Sequence, residues 1–123
     1  MSTYEYGVRY TNDTGQSGIA YDPDKFDPRD RAFADMRCRG MHTAQEDRDI
    51  PKDATLMRRL PGGEWEADPQ WAAEIGAWNE YVVQVEALWD AGRDDEARAF
   101  RDNAESWLSA RQAELLAAAG EAR

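Results

Sequence analysis

A row of apolar residues between Trp71 and Trp89 constrains this chain more than any other feature. Trp71, Ile75, Trp78, Val82, Val85 and Trp89 follow one another at steps of four, three, four, three and four. That spacing keeps side chains on one face of an α-helix and does not suit a strand, whose faces alternate at every residue. Asp68-Pro69 opens the segment with a capping acid and a proline that has no N–H to leave unsatisfied, and Gly92 closes it. Asp94 caps a second helix with Asp95 and Glu96 in its first turn. That helix carries Ala97, Phe100, Ala104, Trp107, Leu108, Leu115 and Ala118 on one face. The connection Ala91-Gly92-Arg93 is so short that the helices must be antiparallel neighbours. Residues 68–119 are therefore expected to form a helical hairpin. Arg111 falls within the second apolar face, level with Ile75 and Glu74 in this pairing. A lone charge there is costly, so Arg111 is expected to reach Glu74 or another acid at the edge of the seam.

The first half has a different grain. Tyr4, Tyr6, Val8 and Tyr10 alternate with Glu5, Gly7, Arg9 and Thr11, the period of a strand with one aromatic face. The polar run from Asn12 to Gly18 is turn chemistry, and Ile19-Ala20-Tyr21 returns as a second short strand. Asp27-Pro28 repeats the cap-and-proline opening and predicts a helix to about Arg39, stopped by Gly40, with Phe33 and Met36 facing the core. Met41 to Ala54 is polar and unpatterned and reads as a surface loop. Thr55 to Leu60 reads as a strand, Pro61-Gly62-Gly63 as a turn and Glu64-Trp65-Glu66 as a last short strand. The fold class expected is α+β: a small antiparallel sheet with one helix over residues 1–67, followed by the C-terminal antiparallel helical hairpin. The two parts make a single domain over 1–123.

Charge and cysteine usage narrow the function. The net charge of −10, from 25 acidic and 15 basic residues, would be repelled by a duplex, so no direct nucleic-acid binding is expected. Arg29, Arg31, Arg37, Arg39, Arg58 and Arg59 would make a basic patch only if they converged. Pairing with neighbours such as Asp30 and Asp35 on a solvated face is the simpler expectation. The single cysteine, Cys38, allows no internal disulfide and suits a reducing compartment. Residues 1–20 have neither the basic start nor the apolar stretch of a secretory leader, and no apolar run approaches a membrane span. A cytoplasmic protein with no membrane contact is expected.

No constellation of reactive side chains stands out. His42 and Cys38 offer two soft ligands where structural zinc takes four. Asp22, Asp24, Asp27 and Asp30 cluster, but counting from Asp22 puts Phe26 at the fifth and Asp27 at the sixth position of a calcium loop, where an oxygen ligand and a glycine belong. Gly15 and Gly18 open no helix, and Gly62-Gly63 lacks the Lys-Ser/Thr of a phosphate loop. No serine sits in a G-x-S-x-G elbow. Accordingly no catalytic residue, cofactor or metal ligand is assigned, and the chain is not expected to be an enzyme.

The aromatic stripe of the hairpin has two uses, as core and as interface. Four of the five tryptophans lie in this hairpin, and with Tyr81 and Leu88 the stripe on its first helix is wider than a two-helix seam needs. Trp71, Trp78, Tyr81, Leu88 and Trp89 are the candidate partner-binding residues, because Trp and Tyr are the side chains that binding surfaces favour. The partner expected is a second copy in a homodimer or another protein. The alternative is an acidic decoy that imitates the charge of DNA and blocks a nucleic-acid-binding protein.

Residues 4–66 carry a resemblance. Tyr6-Gly7-Val8-Arg9-Tyr10 followed by a helix, then Leu56-Met57-Arg58-Arg59-Leu60 and Gly63-Glu64-Trp65-Glu66, resembles small uncharacterised proteins encoded by phages of actinobacteria. The loops around Asp13–Gln16 and Met41–Ala54 are longer than in that pattern, and the hairpin is not part of it. Its segment from Ala91 to Arg98 is similar to the turn of tetratricopeptide-type helix pairs, although one pair is not an array. The phage resemblance implies a viral accessory protein in the host cytoplasm that binds a host factor or itself. Neither likeness supplies catalytic residues.

Overall fold

The computed structural model describes residues 3–120, as an α+β chain in two units that divide between Asp68 and Pro69. That boundary lies one residue after the expected one. The first unit is an antiparallel sheet of four strands with one helix. Strand β1 (Glu5–Thr11) lies inside the sheet, paired with β2 (Ser17–Ala20) on one side and β3 (Thr55–Arg59) on the other. Strand β4 (Glu66–Ala67) pairs with β3, which gives the order β2-β1-β3-β4. Val8 is the centre of the register, opposite both Ala20 and Leu56. The alternation read from the sequence is present only in part: Tyr6 and Val8 are buried and Arg9 is exposed, but Gly7 is buried as well, against Trp65 and Ile19, and Tyr10 and Thr11 are both half-buried. The β1–β2 turn closes on Asn12, whose side-chain oxygen accepts from the backbone of Thr14 and of Gln16, with Gly15 at φ 83°.

Helix α1 (Arg31–Asp47) packs on β1 and β3 and contributes buried Ala34, Cys38 and Gln45. It departs from expectation at both ends. Asp30, not Asp27, is the cap and accepts from the Phe33 N–H, while Asp27 organises the turn before it by accepting from the Arg29 N–H. The helix also runs through Gly40, so the first half of the expected loop is helical. Gly40 lacks the positive φ of a helix-ending glycine and faces solvent. Its cost of about 1 kcal/mol in a helix interior is offset by the buried, hydrogen-bonded Gln45 in the turn that follows. Met36 is 61% exposed rather than core, and Phe33 is half-buried against Phe26, with ring centroids 4.6 Å apart.

The second unit is helical. Helix α2 (Pro69–Asp90) is followed by α3 (Asp94–Asp102) and α4 (Ala104–Ala118), and α2 packs against both. The turn expected at Gly92 is present: Gly92 has φ 73°, and the Arg93 N–H bonds to the Leu88 carbonyl at 2.9 Å. Arg93 takes the cap position of α3 with no side-chain bond, and Asp94, Asp95 and Glu96 lie in the first turn. The second helix of the expected hairpin is interrupted at Asn103, whose side chain donates to the Ala99 carbonyl. No helix among the described residues is long and apolar enough to cross a membrane.

Candidate functional site

The buried ridge of α2 is Ala73, Ala77, Tyr81 and Val85, each four residues from the last, together with Trp71 nearer the start. At 100° per residue the centre of this buried set is rotated by about 80° from the line of tryptophans that the sequence puts at the seam. Small residues let helix backbones approach. A Cβ built on Gly76 would stand 3.3 Å from Leu115 Cδ1. Tyr81 then fills the wider space beyond, with its ring 5.4 Å from Trp78, 5.3 Å from Phe100 and 6.2 Å from Trp107.

The candidate partner-binding residues separate accordingly. Trp71, 4% exposed, and Tyr81, 9% exposed, are buried, so neither is available to a partner. That corrects their place among the docking residues: Tyr81 is on the alanine ridge and turns inward with it, whereas Trp71 is buried near the start of α2 although it shares the helical line of exposed Trp89. Leu88 is half-buried. Trp78 and Trp89 remain 51% and 42% exposed, eleven residues and about 16 Å apart along the helix, and half-buried Val82 lies on the line between them. Val83, 66% exposed on the neighbouring ridge, is an apolar surface residue that the heptad did not mark. Beside this edge stand Glu86 and Asp90, both exposed and without an ion pair among the described residues. The Arg101 guanidinium lies 5.7 Å from the Trp89 ring centroid. No residue of α4 is fully buried, and Trp107, Leu108, Leu115 and Leu116 are half-buried.

Arg111 reaches an acid at the seam's edge. Its Nε donates to both carboxylate oxygens of Glu80, at 3.0 and 3.1 Å, and its Nη1 to Glu114 at 2.9 Å. Those bonds, to Glu80 first, raise the guanidinium above its ordinary value. The acid is Glu80 rather than Glu74 because the interruption at Asn103 intervenes between the Gly92 turn and Arg111 and shifts the register.

In the first unit the six clustered arginines do not converge into a basic patch. Arg29 pairs with Asp27, Arg31 with Asp68, Arg37 with Asp22, Arg39 with Asp35, Arg58 with Glu66 and Arg59 with Glu5. The Arg31–Asp68 pair is bidentate, at 2.8 and 3.2 Å, with Asp68 only 3% exposed. Asp22, Asp27 and Asp30 are thereby used as ion-pair partner, turn residue and helix cap. Cys38 is fully buried, which pushes its thiol up to about 12. His42 is half-buried on α1 rather than in a loop. Among the described residues no three His, Cys, Asp or Glu side chains gather as a metal would require.

Two clusters escaped the reading of the sequence. Arg59 is stacked between Tyr21 and Trp65, 4.8 and 4.4 Å from their ring centroids, and Glu5 accepts from both Arg59 and the Tyr21 hydroxyl. Gly7 lies beneath, where a Cβ would come within 3.2 Å of Trp65. The second cluster is built on Gln45, which donates to the Thr11 carbonyl and to Asp53 and accepts from the Ala54 N–H. Both bring together residues more than thirty positions apart, which no local pattern announces. Comparison with family models, with curated proteins and with solved structures finds no match to this chain.

Proposed function

We propose that this chain is a non-enzymatic protein-binding module that docks through the Trp78–Val82–Trp89 edge of its helical hairpin, on a partner protein or on a second copy of itself. The observation that carries this reading is the exposure of two tryptophans on one line of one helix, although the same helix buries Trp71 and Tyr81. Trp is the side chain most enriched at binding hot spots, and a contiguous apolar patch on a soluble surface is the ordinary mark of an interface. An accessory role of this kind is what the resemblance of residues 4–66 to phage proteins implies. The acidic-decoy reading calls for rows of carboxylates without an apolar patch, and the exposed tryptophans weigh against it.

Site-specific photocross-linking tests the proposal. Benzoylphenylalanine in place of Trp78 or Trp89, in cells that naturally carry the gene, is expected to give a discrete adduct, and the same probe in place of Glu105 is expected to give none. The adduct's mass distinguishes a second copy from a foreign chain. Equal adducts from all three positions, or none from the tryptophan edge, would overturn the reading.

A further inference from the structure

Resting on that docking face, we infer that its occupant is a cationic amphipathic helix of another protein, which lays apolar side chains along Trp78, Val82 and Trp89 and sets Lys or Arg against Glu86 and Asp90. The argument is one of charge and spacing. Glu86 lies four residues beyond Val82 and three before Trp89, and Asp90 follows Glu86 by four, so the two carboxylates form a ledge along the apolar edge. Several acids of this unit hold a cation of the chain itself: Glu80 and Glu114 hold Arg111, and Asp95 and Glu96 lie within ion-pair distance of Arg98 and Arg93. Asp94, Asp102 and Glu105 hold none among the described residues, but only Glu86 and Asp90 stand on α2 itself beside the exposed tryptophans. Glu86 and Asp90 have no such cation among the described residues.

A second copy fits this ledge poorly. A two-fold pairing centred on the edge would bring two Glu86–Asp90 ledges together between chains that each carry a net charge of −10. Like charges set against each other at an interface suppress that pairing, whereas a basic partner is steered to the same ledge. The apolar edge is about 16 Å long, or about three helical turns, which matches the reach of one amphipathic helix with anchors at i, i+4 and i+11.

The test uses the full chain and two synthetic probes of about 18 residues, long enough to cover the edge. One is an amphipathic Leu/Lys helix, and the other has every Lys replaced by Glu. Binding is followed by tryptophan emission and by calorimetry. The Leu/Lys peptide is expected to bind and the Leu/Glu peptide to leave the emission unchanged. The double variant Glu86→Lys/Asp90→Lys is expected to weaken binding at least about tenfold, and Trp78→Ala/Trp89→Ala to do the same. Asp13→Lys/Asp24→Lys, the same change of net charge on exposed residues of the first unit, is expected to alter affinity by no more than about twofold. Circular dichroism of each variant verifies that the fold is retained. Equal weakening by both charge reversals would mean that the peptide senses net charge alone, and would overturn the inference. So would indifference to the tryptophan variants, or equal binding of the two peptides. A cross-link at Trp78 that identifies a second copy would reject the cationic partner and leave the docking face in place. Absence of any cross-link there would remove the docking face itself.

Discussion

Gln45 does in this chain what a hydrophobic residue does in most helices: it is 3% exposed and faces the sheet. Its amide is saturated by the Thr11 carbonyl, Asp53 and the Ala54 N–H, so the end of α1 is tied at once to the end of β1 and the start of β3. Gln45→Ala leaves the buried Ala54 N–H without its acceptor and should cost about 1–3 kcal/mol, read as a lower urea midpoint. The strongest single influence on the Asp53 carboxyl is its partial burial, which pushes it up, but the bonds from Thr11 and Gln45 together outweigh it and hold the group below the ordinary carboxylate range. A carboxyl lowered on folding stabilises the fold above its unfolded value, and that contribution is lost as pH falls through the folded value. Thermal stability of the parent should therefore fall more steeply below about pH 4 than that of Asp53→Asn. Gly7 is a matter of space. A Cβ there would meet the Ala20 carbonyl oxygen and Ile19 Cγ2 at 3.0 Å and Trp65 at 3.2 Å. Gly7→Ala should destabilise by about 1–3 kcal/mol in the same urea titration. None of these three environments was legible in the sequence, because each is made by partners far apart along the chain.

At the scale of elements, legibility followed local chemistry. The Asn12 turn and the Gly92 stop are local, and each stands where the residues put it. Strand β1 is also where its pattern puts it, but buried Gly7 breaks the alternation because Trp65 covers the face it is on. Gly40 failed as a stop because a glycine ends a helix only when its backbone takes positive φ, and here the turn beyond it is anchored by Gln45. The buried face of α2 is turned by about 80° from the 4-3-4-3-4 apolar line, because that spacing marks an apolar stripe without saying which part of it packs, and close helix packing favours the Ala73–Ala77 ridge. Substitutions report that difference directly. Tyr81→Ala removes the ring at the centre of the Trp78, Phe100 and Trp107 cluster and should cost about 3 kcal/mol. Trp78→Ala, half in solvent, should cost only about 1 kcal/mol. If the heptad line were the true seam, the order of these two effects in denaturant unfolding would be reversed.

On the scale of the molecule, the excess of acid is distributed unequally. Residues 1–68 carry 14 acidic and 10 basic side chains, and the six clustered arginines there are held in ion pairs. Residues 69–123 carry 11 acidic and 5 basic side chains beside the exposed tryptophans. Charge and apolar surface thus coincide on the hairpin, which is where a partner of opposite charge would be drawn. Of the five docking residues read from the sequence, Trp78 and Trp89 are on this surface, Leu88 is at its margin, and Trp71 and Tyr81 belong to the core. The most direct test labels all tryptophans with 5-fluorotryptophan and follows their separate 19F resonances during titration with the Leu/Lys peptide. The resonances of Trp78 and Trp89 are expected to shift together and saturate, while those of Trp65 and Trp71 stay in place. Saturable shifts at Trp65 or Trp71 with Trp78 and Trp89 unmoved would contradict the docking edge.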